Sequence, residues 1–134
     1  AVAVESTVES ESSLAAELRA AYLDGVETDV APGERVADLF RAAGLDVVGT
    51  RRHYHEKRTE PPYDAVAVES VKRKATAAAL DDHERELRRA LPDDRYEALR
   101  GEWRSMGRAA ATQMHDGDYR RVEVVPFDVT VGRV

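Results

Sequence analysis

Two runs that read as strands, Leu45 to Thr50 continuing through Arg51-Arg52-His53-Tyr54-His55, and 63–71, flank a polar connection that ends in Pro61-Pro62. Strands joined by so short a connection usually pair antiparallel. The sequence therefore predicts a central hairpin of residues 47–55 and 63–71. Each proline bars its predecessor from the helical region, which holds the connection extended. Residues 65–70 spell AVAVES, and so do residues 1–6. Nothing around the two hexamers repeats, so the expectation is two buried strands of one sheet that use the same residues.

In residues 1–6 the valines share one face and the alanines the other. Such a strand suits a sheet covered on both sides, as in α/β proteins. Leu14, Leu18, Ala21 and Tyr22 follow at helical spacing, with serines at 10, 12 and 13 as candidate caps and Gly25 as a stop. Residues 26–31 read as a connection. Pro32 opens a second helix with the stripe Val36, Leu39, Phe40 and Ala43, and Gly44 ends it. Leu45 is then placed to fold back on Phe40.

Lys72-Arg73-Lys74 leads into a helix, with a break expected near Asp81 and Asp81 itself as the cap. A last helix starts near Pro92, with Asp94 and Glu97 spaced as a capping box. Tyr96, Leu99, Trp103, Met106, Ala110 and Met114 recur along it by threes and fours, a seam for core or for an interface. Gly101 and Gly107 either weaken this helix or admit a neighbour closely. Residues 119–131 are extended, and Pro126 predicts an edge strand or two short pieces.

The chain has 134 residues and no cysteine, which excludes disulfides, thiolate nucleophiles and cysteine-ligated zinc. A net charge of −6 argues against a nucleic-acid partner. No apolar run approaches the roughly 20 residues of a membrane-spanning helix. A soluble, cytoplasmic protein is expected. The chain opens without methionine in what reads as a strand, so a removed or unincluded upstream segment is also expected.

The densest polar cluster is Arg51-Arg52-His53-Tyr54-His55. Arginine and histidine donors at a strand end suit an anion or a substrate carboxylate. Two histidines alone satisfy no preferred metal geometry, so no metal site is expected. Glu5 and Thr7 stand at the C-terminal end of the first strand, where α/β sheets place ligand-binding loops. The substrate-binding candidates are therefore Glu5, Thr7, Arg52 and His53. Tyr63 is expected to pack and Asp64 to cap. No glycine-rich nucleotide loop, HExxH or GxSxG occurs, so the chain has no self-sufficient catalytic signature.

The run Val36-Ala37-Asp38-Leu39-Phe40-Arg41-Ala42-Ala43-Gly44-Leu45-Asp46-Val47-Val48 resembles the C-terminal part of class I S-adenosylmethionine-dependent methyltransferases. There a helix ending in such an AAG join feeds the sixth strand. Residues 1–6 resemble the end of that family's fifth strand, and Tyr63-Asp64-Ala65-Val66-Ala67-Val68 its antiparallel seventh. The resemblance implies an α/β fold, the last three strands of a Rossmann-like sheet with an antiparallel final hairpin. It divides the chain into a methyltransferase-like portion, 1–71, and a helical extension with a terminal strand, 72–134. The family's donor-binding loop precedes these strands. S-adenosylmethionine would then be held only with a missing N-terminal half or a partner chain. The strand-one edge would be unpaired, which implies a partner or self-association there or at the Trp103/Met106 seam. The alternative is a non-catalytic α/β domain for oligomerisation or small-ligand binding.

Overall fold

The computed structural model describes residues 2–26 and 32–134. Ala1 and residues 27–31 of the expected connection lie outside them. In chain order the elements are β1 (Ala3–Ser6), α1 (Glu11–Gly25), α2 (Pro32–Ala42), β2 (Asp46–Thr59), α3 (Ala65–Ala75), α4 (Ala78–Asp82), α5 (Glu84–Ala90), α6 (Asp93–His115) and β3 (Arg121–Arg133). The architecture is mixed α/β. A three-stranded open sheet has the order β1-β3-β2, and β3 pairs antiparallel with both neighbours. It follows that β1 and β2 run parallel to each other.

The predicted central hairpin does not form. Residues 65–70 are the first turns of α3, and the partner of β2 is β3. The two AVAVES copies thus take different structures. Asp64 caps α3, its Oδ1 accepting from Ala67 N at 2.8 Å, and Lys72, Arg73 and Lys74 lie in the last turn where cations are favoured. Ala67, Val68, Val71 and Lys74 turn inward at helical spacing, while Val66 stays 76% exposed. The first copy is followed by Thr7-Val8-Glu9-Ser10 rather than by a basic turn, and its residues 3–6 pair with residues 121–124 instead.

The join into β2 follows the sequence closely. Gly44 takes φ +80°, Leu45 N donates to Phe40 O at 2.9 Å, and Gly44 N donates to Arg41 O at 3.0 Å. These are the paired bonds of a left-handed helix cap. Phe40 and Leu45 both lie over Gly132, where a Cβ would stand 2.6 Å from the Phe40 ring. β2 itself runs on to Thr59, through most of the polar connection, and Pro61-Pro62 is a cis bond.

The helix breaks twice, once before and once after the expected position near Asp81. Ala77, buried at φ +55°, separates α3 from α4, and His83 separates α4 from α5. Asp81 caps nothing; it lies within α4 and accepts from Arg100 Nε at 3.0 Å. The Asp94–Glu97 capping box is also absent. Asp94 accepts from its neighbour Arg95 N, and Glu97 pairs with Arg88 at 3.1 Å.

The core lies among the helices rather than in the sheet. Leu80, Leu87, Leu99, Ala110 and Tyr119 are fully buried, and Val8, Leu14 and Val71 complete the same cluster. Trp103 and Met106 belong to it, at 6% and 2% exposure, so the seam is internal packing and not an external interface. β3 supplies the middle strand between β1 and β2, which interleaves the 72–134 portion with the 1–71 portion in one sheet. Its Pro126 sits opposite Tyr54, past the last β1 pair Ala3↔Val124, so an unbroken β3 carries it where β2 is its one strand neighbour among the described residues. Among the described residues no helix is long and apolar enough to cross a membrane.

Candidate functional site

Glu11 is a carboxylate at 1% exposure in the first turn of α1. Its Oε1 accepts from Ser6 Oγ at 2.8 Å and from the Tyr119 hydroxyl at 2.6 Å. Its Oε2 faces Arg121 Nε at 2.6 Å and Lys74 Nζ at 3.2 Å. One acid thereby ties together β1, α1, α3, and the start of β3. A buried charge needs such a set of partners. Burial pushes the Glu11 carboxyl up, but Lys74, the hydrogen bonds from Tyr119 and Ser6, and Arg121 outweigh it and hold the group below its ordinary value of 4.5. Burial, with Glu11 opposing, lowers the Lys74 amine. Burial and the bond to Glu11 raise the Tyr119 hydroxyl.

The pH dependence follows from those directions. A depressed folded carboxyl contributes stability that is present above its unfolded value and is lost as pH falls through the folded one. The raised Tyr119 contributes stability present below pH 10 and lost as pH rises above it. Urea midpoints measured from pH 3 to 7 should fall with acidification below about pH 4.5 in the parent protein. That fall should be smaller in Glu11→Gln.

Beside this network, at the C-terminal end of β1, a groove of about 1120 Å³ runs between the first turn of α1 and α6. Val8, Ser13 and Leu14 form one wall. Ala98, Gly101, Ser105 and Ala109 form the other, on a face of α6 that flanks the buried seam. Thr7 stands at one end and is held on both sides. Its hydroxyl donates to Gln113 Oε1 at 2.5 Å and accepts from Arg120 N at 3.1 Å, while Gln113 Nε2 donates to Thr7 O at 3.2 Å. A second, smaller cleft of about 290 Å³ lies between α3 and the β2–β3 ladder, with Lys57, Arg58, Lys74 and Arg121 facing Asp64 and Glu123.

The four predicted site residues do not converge. Glu5 is opposite Val122, which is opposite Arg58. Arg52 is six residues from Arg58 along β2, about 20 Å away at strand spacing. Arg52 Nε donates to Asp128 Oδ1 at 3.1 Å, and His53 stacks on Phe127 with ring centroids 5.5 Å apart. Tyr63 and Asp64 act as expected: the Tyr63 hydroxyl donates to Tyr119 O at 2.8 Å, and Asp64 is the cap of α3. Among the described residues no group of three or more histidine or acidic side chains is placed to hold a metal.

Sequence reasoning missed Glu11 as the centre of a network. Its partners lie at positions 6, 74, 119 and 121, brought together only by the fold. The small-residue face of α6 was visible in Ala98, Gly101, Ser105 and Ala109, at spacings of three and four. No protein-family model matches the chain, and no curated protein or solved structure shows detectable similarity to it.

Proposed function

We propose that this chain is the C-terminal, acceptor-side portion of an S-adenosylmethionine-dependent methyltransferase-like protein with a Rossmann-like sheet. Strand direction carries the reading. Two parallel strands, β1 and β2, are joined through α1 and α2, and β3 returns antiparallel between them. β1 and β2 stand for the fifth and sixth strands of the resemblance. β3 takes the place of the antiparallel seventh, which the sequence alone put at residues 63–68. The α3–α6 helices are then an insertion between the last two strands. They close one side of the groove at the end of β1, where α/β sheets bind their ligands.

The described residues do not fit the methyl donor. Neither strand-to-helix join, 7–10 or 60–64, contains a glycine, so neither lets a backbone approach a nucleotide closely. S-adenosylmethionine is held by another portion or a partner. This chain's part is to position the acceptor, a service worth several kcal/mol of barrier when the alignment is good. Thr7 lines the groove and Glu5 lies two residues before it, whereas Arg52 and His53 are outside its reach.

The test uses the protein tagged at its native locus, isolated under non-denaturing conditions and incubated with methyl-tritiated S-adenosylmethionine and a small-molecule extract. Transfer of label above a boiled control supports the reading, and absence of both donor retention and transfer overturns it. Gly101→Leu fills the groove at an exposed position with open space around it, and replaces a poor helix former by a good one. It should abolish transfer with no loss of thermal stability. Calorimetric titration of the isolated 134-residue chain with S-adenosylmethionine should give no saturable heat.

A further inference from the structure

We infer that Lys74 is a nucleophile that takes up a small 2-oxo acid as an imine, in the cleft between α3 and the β2–β3 ladder. The cleft is about 290 Å³, at the small end of ligand pockets. Lys74 lines it with only 13% of its side chain exposed. Its Nζ stands 3.2 Å from Glu11 Oε2 and 3.5 Å from the Tyr119 hydroxyl. The chain's other lysines, Lys57 and Lys72, are exposed. A lysine becomes a nucleophile when it is desolvated or set beside another cation. Both conditions hold at Lys74. Burial is the largest influence on its amine and holds it below its ordinary value, and Arg121 adds to that against the pull of Glu11.

Arg121 also makes the ammonium dispensable. Its Nε reaches Glu11 Oε2 at 2.6 Å, so the buried carboxylate keeps a cation when Lys74 gives up a proton. Its Nη1 meets Glu123 at 3.1 Å, which leaves Nη2 as the donor for a ligand carboxylate. Lys57 stands opposite Glu123, and Thr59 opposite Arg121, so these side chains share the face that meets α3. Asp64 is committed to Ala67 N. Lys74 Nζ and Arg121 Nε reach the same oxygen of Glu11. A carboxylate offered to Arg121 must therefore lie close to the carbonyl carbon offered to Lys74, which is the spacing of a 2-oxo acid.

The step balances within the cleft. The Lys74 ammonium hands a proton to Glu11, its nitrogen attacks the carbonyl carbon, and the C=O pair moves to oxygen. Two protons from the nitrogen, relayed by Glu11, leave with that oxygen as water, and a C=N bond replaces the C–O bond. Ammonium and ketone give protonated imine and water, so Nζ keeps a positive charge beside Glu11. The inference stands apart from the methyl-transfer reading.

Trapping the imine tests it. The 134-residue chain is incubated at pH 7 with pyruvate and cyanoborohydride, and carboxyethylated lysines are located by peptide mass spectrometry. Lys74 should be modified at least about tenfold faster than Lys72, the ratio that one unit of difference in amine basicity provides. With acetone, in which a methyl group replaces the carboxylate, the ratio of Lys74 to Lys72 should fall by about threefold or more. Modification that follows exposure, with Lys57 and Lys72 ahead of Lys74, overturns the inference. So does the same ratio with acetone as with pyruvate, because the cleft would then recognise no carboxylate.

Discussion

Glu11→Ala should cost about 3–5 kcal/mol of folding stability, the range for removing one member of a buried ion pair. The loss comes less from the missing carboxylate than from what it leaves behind. Lys74 and Arg121, at 13% and 17% side-chain exposure, would be left with Glu123, which pairs with Arg121 at 3.1 Å, as the one neighbouring anion among the described residues. The Tyr119 hydroxyl, in a fully buried residue, would lose its acceptor. For a protein with 5–15 kcal/mol in total this is a large fraction. At a urea slope of about 1–3 kcal/mol/M the midpoint should drop by roughly 2 M. The triple change Glu11→Met, Lys74→Met, Arg121→Met separates charge from packing. It removes all three ions and should recover most of the loss, because replacing a buried charged cluster with apolar groups is often neutral. A triple variant as unstable as Glu11→Ala would mean that the network's hydrogen bonds to Ser6 and Tyr119, rather than its charge balance, hold the four elements together.

What the sequence made legible divides along a physical line. Features set by neighbours in the chain were readable. Gly44 stops α2 and lays Leu45 against Phe40 through the left-handed cap that the Ala-Gly-Leu spelling predicts. The Tyr96–Ala110 seam is buried as its spacing requires. Features set by competition between local preferences were misread. AVAVES is equally good as a half-buried strand and as alanine-rich helix, and residues outside the hexamer decide. Asp64 before the second copy and Lys72, Arg73 and Lys74 after it tip that copy to helix. With that strand gone, the partner of β2 had to come from the far end of the chain, a pairing no local pattern announces. Pro126 misled for the same reason. It argues against a central strand only where both neighbours are present, and β1 ends before reaching it. The groove fared in between: the small face of α6 was on the page, but what it faces depends on where α1 begins.

Gly107→Ala should destabilise the protein by about 2 kcal/mol, although alanine is the better helix former by about 1 kcal/mol. A Cβ at Gly107 would overlap the backbone N of Ala75 and the carbonyl carbon of Lys74. Both are main-chain atoms in the last turn of α3, so no side chain can rotate out of the way. α3 and α6 must separate, against the tight packing of a protein interior. Gly101 on the same helix is the internal control. Nothing lies within 4 Å of its Cβ position, so Gly101→Ala should gain up to about 1 kcal/mol, and the two substitutions should differ in sign. The contact also links helix packing to the buried carboxylate. Lys74, whose backbone Gly107 touches, is the residue that reaches Glu11. Pushing α3 outward draws the ammonium away from its partner. Gly107→Ala and Lys74→Met should therefore be non-additive by about 1 kcal/mol or more in a double-mutant cycle followed by urea unfolding. Additivity would mean that α3 shifts along its own axis and leaves the Lys74–Glu11 pair intact. The loss in Gly107→Ala would then be strain between two helices with no consequence for the network beside the groove.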